Sequence, residues 1–202
     1  MPLAYSSGPT PSLSTVNLDT IETRLEAINL CLRAIGYTPV ETEDSGDLDA
    51  EDASKTLATV GQRVQYNAGK GWWFNNEDGW EMTPDANGEI LAPNNAIAGW
   101  QDVRRGDLKA RISLRGRSVY DMTNHTFDLR GIINNSGFLR MAFILNLPFE
   151  LRPVSARQAI AYQAAVEFMV SKDFDVQKVQ IWQALAQQLQ VDLGNEQANQ
   201  YS

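Results

Sequence analysis

Apolar residues recur at helical spacing near both ends of the chain and lose that spacing in the middle, and this switch limits the possible folds most. Ile21, Leu25, Ile28, Leu32 and Ile35 fall three or four apart, with Ala27 and Cys31 widening the face they define. Asp19 stands three positions before Glu22, the arrangement of a capping box that satisfies free amides at a helix start. Gly36 is placed to end the helix in a left-handed cap, and Pro39 keeps the following chain extended. An acidic segment, Glu41 to Asp52, then leads into a second helix, its last carboxylates complementing the positive helix start. Ala53, Leu57, Val60, Val64 and Ala68 form the expected buried face of that helix, which should stop near Gly69 and Gly71.

From Gly71-Trp72-Trp73-Phe74-Asn75 onward the character changes to aromatics, β-branched residues and turn pairs. Asp85-Ala86-Asn87-Gly88 separates Trp80-Glu81-Met82-Thr83 from Ile90-Leu91, which predicts a hairpin between them. Ala110 to Leu114 alternates polar and apolar residues, and Arg115-Gly116-Arg117 turns the chain into Ser118-Val119-Tyr120-Asp121. Met122 to Thr126 reads as a further turn. The apolar run Phe138 to Leu147 has strand length, although its pattern also fits a helix.

After Pro148 and Pro153 helical spacing returns. Ile160, Ala161, Ala164, Ala165, Phe168 and Met169 share one face, with Pro153 suited to the first turn. A last helix starts near Asp175 and carries Val179, Trp182, Leu185, Ala186 and Leu189. The expected class is α+β: a helical bundle formed by the N- and C-terminal helices, with an inserted β-rich module. The boundaries read as a Ser/Thr/Pro-rich flexible arm at 1–18, a bundle from 19–71 and 148–193, a β-rich insertion at 72–147, and a frayed Gln-rich tail at 194–202.

Composition narrows the function classes. With 43% apolar and 21% charged residues the chain is globular in character, and a net charge of -8 opposes unspecific wrapping of nucleic acid. The single cysteine, Cys31, excludes an internal disulfide framework and a cysteine-cluster metal site, and its place in an apolar pattern predicts a buried small hydrophobe. The opening Met1-Pro2-Leu3-Ala4-Tyr5 lacks the basic and apolar regions of a signal peptide, and no run reaches the ~18 apolar residues of a membrane span. Folding in the cytoplasm, without membrane contact, is the expectation.

Motifs for chemistry are sparse. His125, the only histidine, lies among turn formers, so a solvent-facing turn residue is expected and an imidazole-rich zinc site cannot form within one chain. Asp44, Gly46 and Asp49 do not fit the ligand grid of a calcium loop. Glu77, Asp78 and Glu81 beside Trp72, Trp73 and Trp80 suggest, as an alternative, a glycan hydrolase with paired acids. There is no strained nucleophile elbow or phosphate loop, and Gly69-Lys70-Gly71 is too short to cradle a phosphate. A non-enzymatic assembly protein without cofactor or metal is the expectation.

Three groups stand out as candidate contacts. Trp72, Trp73 and Phe74 should fasten the helical part to the β part, since aromatics at an element junction bury large areas. Arg104, Arg105, Lys109, Arg111, Arg115 and Arg117, opposed only by Asp107, form a candidate partner or lumen surface. Glu41, Glu43, Asp44, Asp47 and Asp49 form a candidate acidic interface. The two charged groups read either as solvated surfaces, as complementary patches between copies, or, for the basic one, as a face toward DNA in a channel.

Several strings in order resemble the tail tubular protein A, or tail adaptor, family of T7-like short-tailed bacteriophages. They are Ala27-Ile28-Asn29, Leu32, Ala34-Ile35-Gly36 and Pro39-Val40, then Gly71-Trp72, Phe74-Asn75 and Glu77 to Gly79. Val119-Tyr120-Asp121 follows, with Pro153, Arg157, Ile160, Ala164 and Phe168 beyond it. The likeness is best over 20–80 and fair over 116–172, while 93–115 and 130–148 do not align. The resemblance implies a dodecameric head-to-tail connector ring in the virion, between portal and tail nozzle, with tail fibres attached near its edge and DNA passing through its lumen. The runner-up is another phage tail or head-completion interaction protein.

Overall fold

The computed structural model describes residues 21–103, 109–133, 137–172 and 175–200. The first helix, α1, spans Arg24–Ala34. Its capping box is formed by Thr23 and Glu26: the Thr23 hydroxyl accepts from the Glu26 amide, while the Glu26 carboxylate accepts from the amides of Glu22 and Thr23 at 2.7 and 2.9 Å. Those two amides hold the Glu26 carboxyl below its ordinary range. The expected cap at Asp19 lies outside the described residues, and the helix begins at Arg24, beyond Glu22. Ile21 precedes the helix yet is buried. At the other end the amides of Gly36 and Tyr37 donate to the carbonyls of Arg33 and Leu32, and Gly36 has the positive φ (81°) that this closure requires.

Helix α2, Leu48–Tyr66, starts where the Asp47 carboxylate accepts from the Ala50 amide at 2.9 Å. Ala53, Leu57, Val60 and Val64 are buried as expected, but Ala68 is not part of that face. The helix stops at Tyr66, and Asn67 and Ala68 turn left-handed at φ 44° and 52°, which leaves Ala68 outside the core. Helix α3, Val154–Ser171, lies centrally against α1, α2 and the last helix (Val176–Gln200), and Pro153 precedes it as its cap residue. Ala156, Ala159, Ala161, Ala164 and Ala165 of α3 are fully buried and let three helices approach closely, while Phe168 and Met169 fill the remaining core. Helix α4, Val176–Gln200, begins at Asp175, whose carboxylate accepts from the amides of Gln177 and Lys178.

The fraying expected from Gly194 is replaced by helix through Gln200. Leu193 is fully buried, Ser155 of α3 donates to Glu196, and the Gln197 side chain accepts from the Trp73 amide at 2.9 Å. Leu185, expected on the packed face, is instead 44% exposed.

The middle of the chain forms two small antiparallel sheets. In the first, β5 (Leu139–Leu145) lies between β1 (Asn76–Met82) and β2 (Ala96–Gln101). The second is a hairpin of β3 (Ile112–Arg115) and β4 (Ser118–Asp121), turning at Gly116-Arg117 as the sequence predicts. The Phe138 to Leu147 run is thus a strand, and it is central because nearly all of it is buried on both faces. This placement overturns the predicted hairpin between Trp80–Thr83 and Ile90-Leu91. The Asp85–Gly88 turn is present, with the Asp85 carboxylate accepting from the amides of Asn87 and Glu89. It delivers the chain to β4 instead: Val119 donates to the Ile90 carbonyl at 3.0 Å and Ala92 to that of Arg117 at 2.8 Å. An apolar strand gains more from central burial than an adjacent segment gains from a short loop.

Two hydrophobic clusters result. One joins all four helices and includes Trp72, and the other gathers Ile90, Val119, Leu129, Ile132, Leu139, Met141, Phe143 and Leu145. The class is α+β, with helices from both ends of the chain and two antiparallel sheets between them.

Candidate functional site

Trp72, Trp73 and Phe74 come together, with Trp72 stacked on Phe74 at 6.4 Å and Trp73 edge-on to Phe74 at 5.1 Å. The Trp72 indole N–H donates to the Val64 carbonyl at 2.6 Å, and its ring is buried within the helical cluster. Trp73 and Phe74 pack against the same cluster. Buried amides link the helical and β parts beside them. Asn75 donates to the carbonyls of Gln65 and Leu145 at 3.1 and 2.9 Å, and its oxygen accepts from the Trp72 amide at 2.8 Å. Gln65 donates to the Asn146 side chain at 2.6 Å and accepts from the Leu147 amide at 2.8 Å. Gln65 and Asn75 are fully buried, so each unmade bond there would carry a desolvation penalty.

Arg152 closes the same seam. Its guanidinium donates twice to the Leu147 carbonyl, at 3.0 and 2.8 Å, and sits so close to α2 that a Cβ at Gly61 would meet it at 2.9 Å. Burial lowers its pKa to about 10, which leaves it charged at neutral pH. Asn75 belongs to the Phe74-Asn75 string, but nothing in the sequence marks Gln65, Asn146 or Arg152 as members of this seam, because most of their partners are distant in the chain.

The charged groups divide. Arg104 and Arg105 lie outside the described residues; Lys109 and Arg111 are exposed. Arg115 and Arg117 serve the hairpin: the first lies 3.4 Å from the Tyr120 ring centroid and the second donates to the Ala92 carbonyl at 3.2 and 3.0 Å. Among the acidic residues, Glu43 pairs with Arg24, Asp47 caps α2, and Asp49 binds Lys172 at 2.8 Å. Asp49, and then Asp52 at 3.2 Å, raise the Lys172 pKa. Glu41 and Asp44 are exposed.

The family model described as tail tubular protein matches residues 25–201, across all four helices and both sheets. The chain belongs to the tail tubular protein family. It is therefore a structural protein of a phage tail, located in the virion tail. No curated protein matches the chain.

In this tail tubular protein two of the carboxylates that suggested chemistry have side-chain partners. Glu77 accepts from the Trp80 indole at 3.0 Å and Glu81 pairs with Arg140 at 3.1 Å. His125 is an exposed turn residue with φ 55°, as expected. The turn is organised by Asp121, whose carboxylate accepts from the amides of Thr123 and Asn124 and from the Asn124 side chain at 2.7, 3.2 and 2.7 Å. Burial by itself would raise the Asp121 carboxyl, but the Asn124 side chain and those amides hold it below the ordinary carboxylate range. Cys31 is buried, and burial pushes its thiol up to about 12, far from a reactive thiolate. Among the described residues no group of three or more His, Cys, Asp or Glu could hold a metal, and no helix is long and apolar enough to cross a membrane.

Proposed function

We propose that this tail tubular protein builds a dodecameric adaptor ring that joins the portal to the tail nozzle and helps anchor the tail fibres, with DNA passing through its lumen. It works without catalysis, cofactor or membrane contact, and assembles in the host cytoplasm. The observation that carries the reading is the family match over 25–201, which takes in both helical ends and the β-rich middle together. The helical part, residues 19–71 and 148–193, builds the ring, and the insertion, residues 72–147, meets tail components. Trp72, Trp73 and Phe74 stiffen the helical side of that division through their shared packing. Lys109 and Arg111, exposed beside the hairpin, suit a partner or lumen surface, and Glu41 and Asp44 supply an acidic counterpart.

Cryo-electron microscopy of the purified chain mixed with portal rings tests the reading. A twelvefold layer bound to the portal is the expected result. Failure to bind portal rings under any condition, together with virions that lack the protein, would overturn it. Cross-linking mass spectrometry of purified tails that placed the chain only beside fibre or head-completion components would favour another interaction role in the particle.

A further inference from the structure

Helix α4 carries two seams at coiled-coil spacing. Val179, Trp182, Ala186, Leu189 and Leu193, separated by three and four residues in turn, form the inner seam; Ala186 and Leu193 are fully buried, and Trp182 meets Tyr162 of α3 at 5.6 Å. Ile181, Ala184, Gln188, Val191 and Asn195 repeat the same intervals on the opposite side of the helix. All five are exposed, Ile181 by 71% and Val191 by 56%, and Leu185 flanks them. Apolar residues at such intervals match the surface of another helix, with Gln188 and Asn195 as the polar positions that set register.

Charge narrows the choice of partner. Helix α2 carries Asp49, Glu51, Asp52, Lys55 and Arg63 in 19 residues, whereas α4 carries only Lys178, Asp192 and Glu196 in 25. None of these lies in the outer seam; Asp192 at its margin accepts from Gln188 at 2.9 Å. Copies of a chain with a net charge of -8 repel one another, so they meet most readily where charge is missing. The amides of Gln188 and Asn195 both donate and accept, which suits a surface of the same composition.

We propose that the outer seam of α4 packs against a helix of a second copy of this chain and is a subunit contact of the ring. This rests on the ring reading above and assigns it a surface. A 25-residue helix is about 37 Å long, so one seam covers less than the ~800 Å² per partner of a standard interface. Pairs of subunits are accordingly weak, and closure of the ring makes the contact persistent.

The test compares the wild-type chain with the double variant Ile181→Glu, Val191→Glu by sedimentation velocity, alone and with portal rings. Assembly of the variant should need at least a tenfold higher concentration, with the melting temperature of the monomer unchanged because both positions are exposed. In otherwise wild-type rings carrying Gln188→Cys labelled with a benzophenone maleimide, irradiation should yield covalent subunit ladders, since the probe inserts into whatever residue of the neighbouring copy covers the seam and Cys31 is buried. Double variants that assemble like wild type, or labelled Gln188→Cys rings in which the probe forms no link between copies, would overturn the seam and leave the ring reading standing. Double variants whose rings persist but no longer dock on the portal would also overturn it, by assigning the seam to another protein. A wild-type chain that forms no ring under either condition removes the ring reading and this contact with it.

Discussion

The helical and β parts of this tail tubular protein are stabilised in different ways. In the helical cluster α1 and α2 have their own start and stop signals, and alanines on α3 let α1, α2 and α4 settle closely around one core. The β cluster is smaller and depends on β5, a strand that is useful only when β1 and β2 reach it from either side. The first is an assembly of units that are locally consistent, and the second exists through distant pairing. The polar seam of Gln65, Asn75 and Asn146 couples them, so the comparison can be probed by weakening each part in turn.

The largest effect is expected in the helical cluster. Phe168→Ala should cost about 3–5 kcal/mol, because the ring is fully buried at the meeting of helices. Trp72→Ala should cost a similar ~3–5 kcal/mol through lost packing and its bond to the Val64 carbonyl. Thermal melts of both variants check this, and an unchanged curve for Trp72→Ala would remove it from the core. Next comes the seam: Asn75→Ala leaves the carbonyls of Gln65 and Leu145 without a buried donor, at a cost of about 2–3 kcal/mol. Its denaturant transition should broaden or split as the two clusters uncouple, and a sharp single transition at the wild-type midpoint would show the amides to be incidental.

Within the β part, Gly99→Ala should cost about 1–3 kcal/mol, since a Cβ would lie 2.7 Å from the Phe143 ring and 3.3 Å from Leu114. Hydrogen exchange should quicken on β2 and β5 while α3 keeps its protection; uniform quickening would mean that the two clusters unfold as one. The smallest effect belongs to pH. The folded Asp121 carboxyl lies below its ordinary value, so its contribution is complete above the unfolded range near ~4 and is lost as pH falls through the lower folded value. Exchange of the Thr123 and Asn124 amides should therefore accelerate in acid, and Asp121→Asn should flatten that response.

The legible residues were those whose signal and partner lie close together in the chain. Gly36 closes α1, Asp47 and its neighbours start α2, and Gly116 turns the β3–β4 hairpin, all within a few positions. Expectation and structure part where local rules compete with distant burial. Ile90-Leu91 left Trp80 for β4 because β5 took the edge of β1. The end of α4 stayed helical because Trp73, far away in the chain, holds Gln197. Of the candidate contacts, the aromatic triad was visible by composition, yet its destination in the helical cluster was not.

By itself the sequence determined that helices occupy both ends, where α1 closes, that the middle is β-rich, and that the ordered strings resemble a tail protein family. These follow from periodicity and capping, which act over one or two turns of chain. Only the tertiary structure decided the strand order, the amide seam and which charges are tied into the fold, because each depends on atoms brought together from distant parts of the sequence. It also divided α4 into a face already buried and a face with the same spacing left open, since periodicity records an apolar position without recording what covers it.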